Sequence, residues 1–420
     1  MTTANGCLKR LKGTTLTEEE KTSSNKCLEP LTEKAPAENI NAVAASMDLL
    51  PDGILSDIMS LLTIRDAVRT SVLARRWRFL GTSLPNLNFD WPSVLGIRDD
   101  PHPRFCEKST NNFHKSQDRF VRTVDHILNN YVGAAKKPFE CKHKEYYVFP
   151  CHLLPPSGES KLKQLFLQSS VLGPDLNDRF SSLITLKLFD VPLAQIDAER
   201  IFSYCLILES LNLELCSLPV TLAVSSSLLR LKSLTVWSCF EVKEIELSAP
   251  NLTTFEYSGV WVSFSFLEVG NLEKLQFVVK CDRGLGYVFN QLGKVVPHVK
   301  ALLVISETEW IDSFAYTNAS ESAKLGGLSH KHLTEVKLGG YCGSESQILF
   351  LKQLVEYAAV LELLRISLET RFYRGDICWF AKRNGRREVD LKKVAKKLQE
   401  SATSKKAVIK VSIQELFTCP

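Results

Sequence analysis

The stretch LESLNLELC, Leu208–Cys216, decides the fold, because LKSLTVWSC at Leu231–Cys239 repeats its pattern. In both stretches apolar residues fill the first, fourth and sixth positions, and a cysteine ends the stretch. Unrelated amphipathic strands would have to share this phase about nine times by accident. The units begin at Leu162, Leu183, Leu208, Leu231, Leu252, Leu272, Val299, Leu333 and Leu361. The chain therefore contains an internal repeat, which becomes irregular after Val299.

The repeat has the form L-x-x-L-x-L-x-x-N/C of a leucine-rich repeat, and the early units follow one another at the roughly 20–29 residues typical of that class. Such units form a solenoid, because each strand points its leucines inward and buries a core only by stacking on its neighbours. We expect one curved parallel sheet. Cys216 and Cys239 are then small buried residues at the turn, and metal ligation is not needed to explain them.

Alternation along each strand places the side chains between the leucines on the open concave face. Aromatic side chains there are candidate anchors for a bound protein, since such residues dominate binding hot spots. The alternative is that they pack against a neighbouring loop. The candidate substrate-binding residues are Phe166, Lys187, Phe189, Asn212, Trp237 and Glu256, with Glu214, Thr235, Gln276, Lys337 and Arg365 on the same face.

Leu49–Asp90, which reads LLPDGILSDIMSLLTIRDAVRTSVLARRWRFLGTSLPNLNFD, contains three short helical patterns. Pro51 suits the start of the first helix, because its fixed φ fits and its missing N–H is not needed there. Thr63 and Asp66 form a variant capping box before a second helix over Ile64–Thr70. One apolar stripe runs along the first helical pattern, and another runs along the third. Taken alone, these patterns also fit a bundle that packs only on itself.

The order of residues in this stretch resembles the F-box of plant F-box proteins that also carry leucine-rich repeats and a C-terminal FBD region. Two departures are Leu62-Thr63, where Leu-Pro is usual, and Gly81, where Trp is usual. The resemblance implies docking to a Skp-family adaptor, which links to the cullin and RING subunits of an SCF ubiquitin ligase. The implied docking surface or its supporting core consists of Leu50, Pro51, Ile54, Leu55, Ile58, Leu61, Val68, Val72, Leu73 and Trp77.

The C-terminal part resembles the FBD region of the same family. SQILFLKQLVEYAAVLELLRISL, Ser346–Leu368, has a helical apolar stripe that leads into a strand. Leu391, Val394, Ala395 and Leu398 suit a closing helix, and Val408, Val411 and Ile413 suit a terminal strand. We interpret this region as the cap of the solenoid. A basic stretch over 371–397 fits a solvated helix face best, and a nuclear localisation signal or nucleic-acid patch is the alternative.

These patterns predict an α/β chain with a three-helix F-box, a curved leucine-rich-repeat solenoid with a parallel sheet, and an α+β FBD-like cap. A helix with Phe120, Val121, Val124 and Ile127 on one face is expected in the linker. The predicted boundaries are a disordered tail over 1–45, the F-box over 46–90, the linker over 91–160, the repeats over 161–330 and the FBD-like region over 331–420.

Composition argues against several classes of function. With 52 basic and 47 acidic residues the net charge of +5 is too mild to indicate nucleic-acid binding. The 12 cysteines are scattered without a CxxC pair, which favours reduced thiols in the cytoplasm or nucleus and argues against zinc. No signal peptide or span of about 18 apolar residues is found, so no membrane association is expected.

Enzymatic signatures such as GxSxG, a P-loop, HExxH and GxGxxG are absent from the sequence, so we expect neither catalysis nor a cofactor. The pair His330 and His332 is interpreted as surface or turn residues. The resulting hypothesis is a non-catalytic substrate-recognition subunit of an SCF-type ligase, whose repeats hold an unidentified substrate protein near the ubiquitin donor. The alternative is a repeat scaffold that binds proteins outside ubiquitin ligases.

Overall fold

Eleven strands among the described residues form one sheet, in which they lie side by side in the order of the chain. The structure is a computed structural model, and it describes residues 49–70, 86–95, 119–127, 147–151, 154, 162–173, 178–260, 262–279, 294–306, 331–373, 379–383 and 391–412. The strands are β1 (Asn86–Phe89), β3 (Gln164–Gln168), β5 (Thr185–Phe189), β6 (Ser210–Glu214), β8 (Ser233–Trp237), β10 (Thr254–Gly259), β12 (Lys274–Val279), β13 (Ala301–Ser306), β14 (Glu335–Gly339), β15 (Leu363–Ser367) and β18 (Val408–Ser412).

Each of the nine repeat units supplies one strand of this main sheet, and all of the pairs are parallel. The unit leucines stay in register: Leu211 lies opposite Leu186 on one side and Leu234 on the other. All three are buried. Fully burying a leucine side chain is worth about 1.5–3 kcal/mol, so the shared phase stabilises this register. The leucine-rich-repeat prediction is confirmed.

Several strands are followed by a residue with the left-handed backbone conformation. Asp190, Leu215 and Ser238 have φ of 54°, 53° and 50°. Each donates its backbone N–H to a carbonyl on the next strand, as Leu215 does to Trp237 O at 2.8 Å. These hydrogen bonds hold a conformation that non-glycine residues rarely adopt. Cys216 follows this turn fully buried, as predicted, and burial raises the pKa of its thiol, whereas Cys239 is only half-buried.

A second layer covers the core, and sequence analysis did not predict it. Its three-stranded parallel sheet consists of β7 (Thr221–Val224), β9 (Glu244–Ser248) and β11 (Ser263–Glu268). Between the two sheets the ring centroids of Phe255 and Phe264 lie 5.9 Å apart, and Phe277 lies 5.4 Å from Phe264. Helices occupy the outer positions in flanking repeats, so the outer layer changes from helix to strand and back along the chain.

The helices of the described residues are α1 (Asp52–Ser60), α2 (Ile64–Thr70), α3 (Trp91–Leu95), α4 (119–127), α5 (Gln195–Tyr204), α6 (Glu345–Tyr357) and α7 (Leu391–Ser401). The longest has 13 residues, and none of them has the length and apolar character needed to cross a membrane. Smaller strand pairs are β2 (Tyr147–Phe149) with β4 (Ser170–Leu172), and the antiparallel β16 (Glu369–Tyr373) with β17 (Trp379–Arg383).

α2 has the predicted bounds, whereas α1 begins at Asp52, one residue after the predicted start, with Pro51 as its N-cap. Pro51 precedes α1, and its carbonyl accepts the first helical hydrogen bond from Leu55 N at 3.1 Å. Thr63 caps α2: its hydroxyl accepts from Asp66 N at 3.2 Å and donates to the Asp66 carboxylate at 2.9 Å. The departure from Leu-Pro at Thr63 therefore leaves the start of α2 intact. The predicted third helix and Gly81 lie outside the described residues.

β1 corrects the boundary predicted at residue 90. It falls inside the predicted F-box, yet Leu87 pairs in register with Leu165 of β3, so β1 belongs to the main sheet. The alternation of polar and apolar residues in β1 covers only four residues, which is too short to distinguish a strand from the end of a helix by sequence.

The C-terminal elements agree with the predicted cap. α6 leads into β15, α7 follows, and β18 pairs with β15 at the end of the main sheet. The lysines of α7 are exposed, as expected for the solvated face of the closing helix. His332 is exposed as well, while His330 lies outside the described residues. The linker helix is present as α4, with Phe120 and Val124 buried.

Candidate functional site

One side chain from every strand of the main sheet forms a continuous row on the face opposite the leucine core. We call this row the middle row, and the face the polar face. The register joins its members directly, for example Lys187 to Asn212 and Glu256 to Gln276. The middle row consists of Asn88, Phe166, Lys187, Asn212, Thr235, Glu256, Gln276, Leu303, Lys337, Arg365 and Lys410. The predicted alternation is thus correct for the candidate residues in it.

The aromatic candidates are less accessible than predicted. Phe166, Phe189 and Trp237 retain only 8%, 1% and 9% exposure, so the expectation of exposed anchors is wrong. Neighbouring strands lie only about 4.8 Å apart, which lets large side chains on one face pack on each other. The Lys187 ammonium, for instance, lies 4.6 Å from the centroid of the Phe166 ring. Their part in substrate binding stays a prediction.

Lys187 and Asn212 both interact with the buried carboxylate of Glu214. Glu214 is 5% exposed, and its carboxylate accepts a hydrogen bond from Asn212 Nδ2 at 2.9 Å. Lys187 Nζ lies 3.9 Å from the same oxygen. A buried carboxylate is costly without such partners, so Lys187 and Asn212 offset the cost of burying Glu214. These side chains are therefore structural in the free protein.

Glu256 differs from Glu214. It is half-buried in the middle row, and its register neighbours Thr235 and Gln276 carry no positive charge. Within the described part of the chain no side chain forms an ion pair or hydrogen bond with it. Burial raises the pKa of its carboxyl above the usual 4.5.

We expect Glu256→Gln to stabilise the protein at pH 7 but not below pH 4.5. Because the pKa of Glu256 is higher in the folded state, folding binds a proton more tightly, and stability falls as the pH rises from 4.5 through the folded-state pKa. The amide removes this penalty. Chemical unfolding at both pH values measures it, with the exposed Glu362→Gln as control. Equal effects of Glu256→Gln at the two pH values would contradict the assignment.

The predicted docking residues of α1 divide between two faces. Leu55 is 0% exposed, as is Met59, which was not predicted to dock, whereas Ile54 is 47% exposed and Leu61, just after the helix, is 85% exposed. The single apolar stripe predicted from the sequence is therefore wrong in part, because one side packs inward and the other meets solvent. Among the other predicted residues, Pro51 is exposed, Leu50, Ile58 and Val68 are half-buried, and Val72, Leu73 and Trp77 lie outside the described residues.

The inner side of these helices contacts the start of the solenoid. Arg65 on α2 donates from Nη1 to the carbonyl of Leu95 at 2.6 Å, and Leu95 ends α3, which directly follows β1. Ile64 and Ala67 of α2 are buried. α2 therefore packs against α3 and β1 at the start of the sheet, while Ile54 and Leu61 remain exposed.

A ladder of amide side chains was missed in the sequence. Asn251 Nδ2 donates to Leu229 O at 2.7 Å, and Asn271 Nδ2 donates to Pro250 O at 2.9 Å and to Asn251 Oδ1 at 3.1 Å. His298 Nε2 lies 2.8 Å from Val269 O in the following repeat. The sequence signal for this ladder is an asparagine directly before the first leucine of a repeat unit, as in Asn251-Leu252 and Asn271-Leu272. Both asparagines line an open cleft of about 490 Å³ beside Glu209 and Glu273.

Comparison with known proteins agrees with this architecture. A family model described as At1g61320/AtMIF1, LRR domain, matches residues 110–319, which is half of the chain. F-box/LRR-repeat protein 25 of Arabidopsis thaliana is 30% identical over 216 residues, covering 49% of this chain and 83% of that protein. F-box/FBD/LRR-repeat protein At5g56420 of Arabidopsis thaliana is 27% identical over 241 residues, covering 52% of this chain and 56% of that protein.

F-box/LRR-repeat protein At5g02910 of the same plant is 28% identical over 192 residues, which is 42% of this chain and 40% of that protein. The chain thus spans about half the length of several relatives and most of the length of one. The matched residues contain seven strands of the main sheet, from β3 to β13. The chain belongs to the plant family of F-box/LRR-repeat proteins.

Proposed function

We propose that this protein is a non-catalytic substrate-recognition subunit of an SCF-type ubiquitin ligase. Its N-terminal helices dock a Skp-family adaptor, and through it the cullin and RING subunits, while the polar face of the main sheet binds the substrate protein. Holding a substrate beside a ubiquitin donor raises the effective concentration of its lysines, so no chemistry by the receptor itself is needed.

The observation that carries the proposal is the outward apolar face of α1. Ile54 and Ile58 are four residues apart and Leu61 follows three residues later, which puts them along one side of the helix. Ile54 and Leu61 remain exposed although the neighbouring Leu55 and Met59 are fully buried. Exposed apolar side chains that lie next to one another, unlike single ones, are typical of a protein-binding surface. The F-box names of the relatives support the same choice of partner.

We expect Ile54→Asp to weaken co-precipitation of a Skp-family adaptor by at least about tenfold, which is 1.4 kcal/mol. The new carboxylate would have to lose water at an apolar interface. Leu61→Asp should act in the same direction. Ile196→Asp on α5 is the matched control, because Ile196 is 51% exposed on a different part of the chain.

The second candidate function is a protein-binding scaffold that works outside ubiquitin ligases. It is favoured by the contact between Arg65 and Leu95, since it holds α2 against the element that follows the first strand of the sheet. In that case the intact protein would capture no adaptor, and Ile54→Asp would behave like Ile196→Asp. This outcome would reject the ligase function and leave the repeats as the binding element.

A further inference from the structure

The polar face changes its chemistry toward the C-terminal end of the main sheet. Lys337, Arg365 and Lys410 occupy the middle row on β14, β15 and β18, and each lies directly opposite the next in register. Adjacent strands are about 4.8 Å apart, so the three cations span roughly 10 Å. Elsewhere in the middle row, Lys187 is the other basic residue, and a buried carboxylate accompanies it.

Two of these three cations are not neutralised. Lys337 Nζ lies 3.1 Å from the Glu335 carboxylate. Arg365 and Lys410 form no ion pair or hydrogen bond with any other described residue, and Arg365 is half-buried with its Nε hydrogen lacking an acceptor. By contrast, two lysines that directly precede strands are paired. Lys232, before β8, lies 2.8 Å from the Glu209 carboxylate, and Lys300, before β13, lies 2.6 Å from the Glu273 carboxylate. Within the middle row, the unpaired cations therefore lie at this end of the sheet.

We propose that Lys337, Arg365 and Lys410 form a docking site for an acidic, extended segment of a partner protein. Alternate residues of an extended peptide lie about 7 Å apart on one side, so two carboxylates in a row fit within the three-cation span. The guanidinium of Arg365 presents a planar fork that matches a carboxylate. The excess positive charge matches the negative charge of such a segment. The segment belongs to the substrate, so this assignment rests on the receptor role proposed above.

The site is tested by fluorescence anisotropy on the full chain, with a labelled peptide built from Asp-Ser repeats and an Asn-Ser peptide of equal length. We expect binding of the acidic peptide alone, and weaker binding as salt is added. Arg365→Gln should raise its Kd at least about tenfold, since a hydrogen bond to a charged group is lost. Lys410→Gln at an exposed position should raise it about two- to fivefold.

Lys352→Gln is the matched control, because Lys352 is an exposed lysine on α6 away from the polar face. Equal weakening by Lys352→Gln would mean general attraction to a basic protein and would overturn the site. Tighter binding of a single-stranded oligonucleotide that displaces the peptide would overturn it in favour of nucleic acid. Arg365→Lys, which keeps the charge but loses the fork, should give an intermediate Kd and guards against a folding defect in Arg365→Gln.

Adaptor co-precipitation, measured on the wild-type chain and on Arg365→Gln, distinguishes failure of this site from failure of the proposed function. If the adaptor still binds and the acidic peptide does not bind the wild-type chain, the acidic-segment site is wrong and the receptor role stands. If the peptide binds but the adaptor does not, the receptor role is wrong and the cationic site remains a protein-binding site of a scaffold.

Discussion

Phe255→Ala is expected to lower the free energy of unfolding by about 3–5 kcal/mol, the usual cost of deleting a fully buried aromatic side chain. Phe255 is 0% exposed on β10 of the main sheet. Its ring centroid lies 5.9 Å from Phe264 and 6.2 Å from Phe266, both on β11 of the outer sheet, and the rings meet edge to face. Edge-to-face pairs add about 0.5–1.5 kcal/mol beyond area burial. Phe255 therefore joins the two sheets.

Denaturant unfolding followed by circular dichroism measures this loss. Phe255→Leu keeps more of the buried volume and should cost less than Phe255→Ala, although it also loses the ring contacts. The control is Leu267→Ala on β11, where the leucine is 64% exposed and the change should stay within about 0.5 kcal/mol. If Phe255→Ala cost no more than Leu267→Ala, the two sheets would not share a core at this residue.

The main sheet could be predicted because its signal recurs. A single L-x-x-L-x-L unit is ambiguous between strand and helix, but nine of them in one phase fix both the strand type and the stacking. The outer strands could not be predicted in the same way. TLAV at β7 and EIELS at β9 alternate over only four or five residues, and the equivalent positions in other repeats are helical, as in α5. No repeat signal remains once the outer element changes type.

Burial of the site residues was harder to predict than their position. Alternation correctly placed Phe189 and Trp237 on the polar face, yet both are nearly buried. Exposure depends on which side chains are neighbours in the assembled sheet, and register across strands distant in sequence decides that. In α1 the helical period found the apolar residues but could not divide Ile54 from Leu55, because two apolar faces in contact look like one broad stripe.

Gln347→Leu is expected to cost about 2–4 kcal/mol of unfolding free energy, because it would leave buried polar groups without partners. Gln347 is 0% exposed at the start of α6. Its Oε1 accepts from Cys342 N at 2.9 Å and from Gly343 N at 3.2 Å, and its Nε2 donates to Gly340 O at 3.1 Å. Leucine has a similar volume but can form none of these hydrogen bonds.

The loop that Gln347 holds has an unusual backbone, which is why its loss should spread beyond one side chain. Gly340 and Gly343 have φ of 71° and 75°, so the chain turns sharply between β14 and α6. Ser344 caps α6 by accepting from Gln347 N at 3.2 Å, and Ser344→Ala should cost about 1 kcal/mol. Chemical unfolding of both variants compares them, with the exposed Ile348→Ala as control. A smaller cost for Gln347→Leu than for Ser344→Ala would contradict the expected contribution of the Gln347 hydrogen bonds to stability.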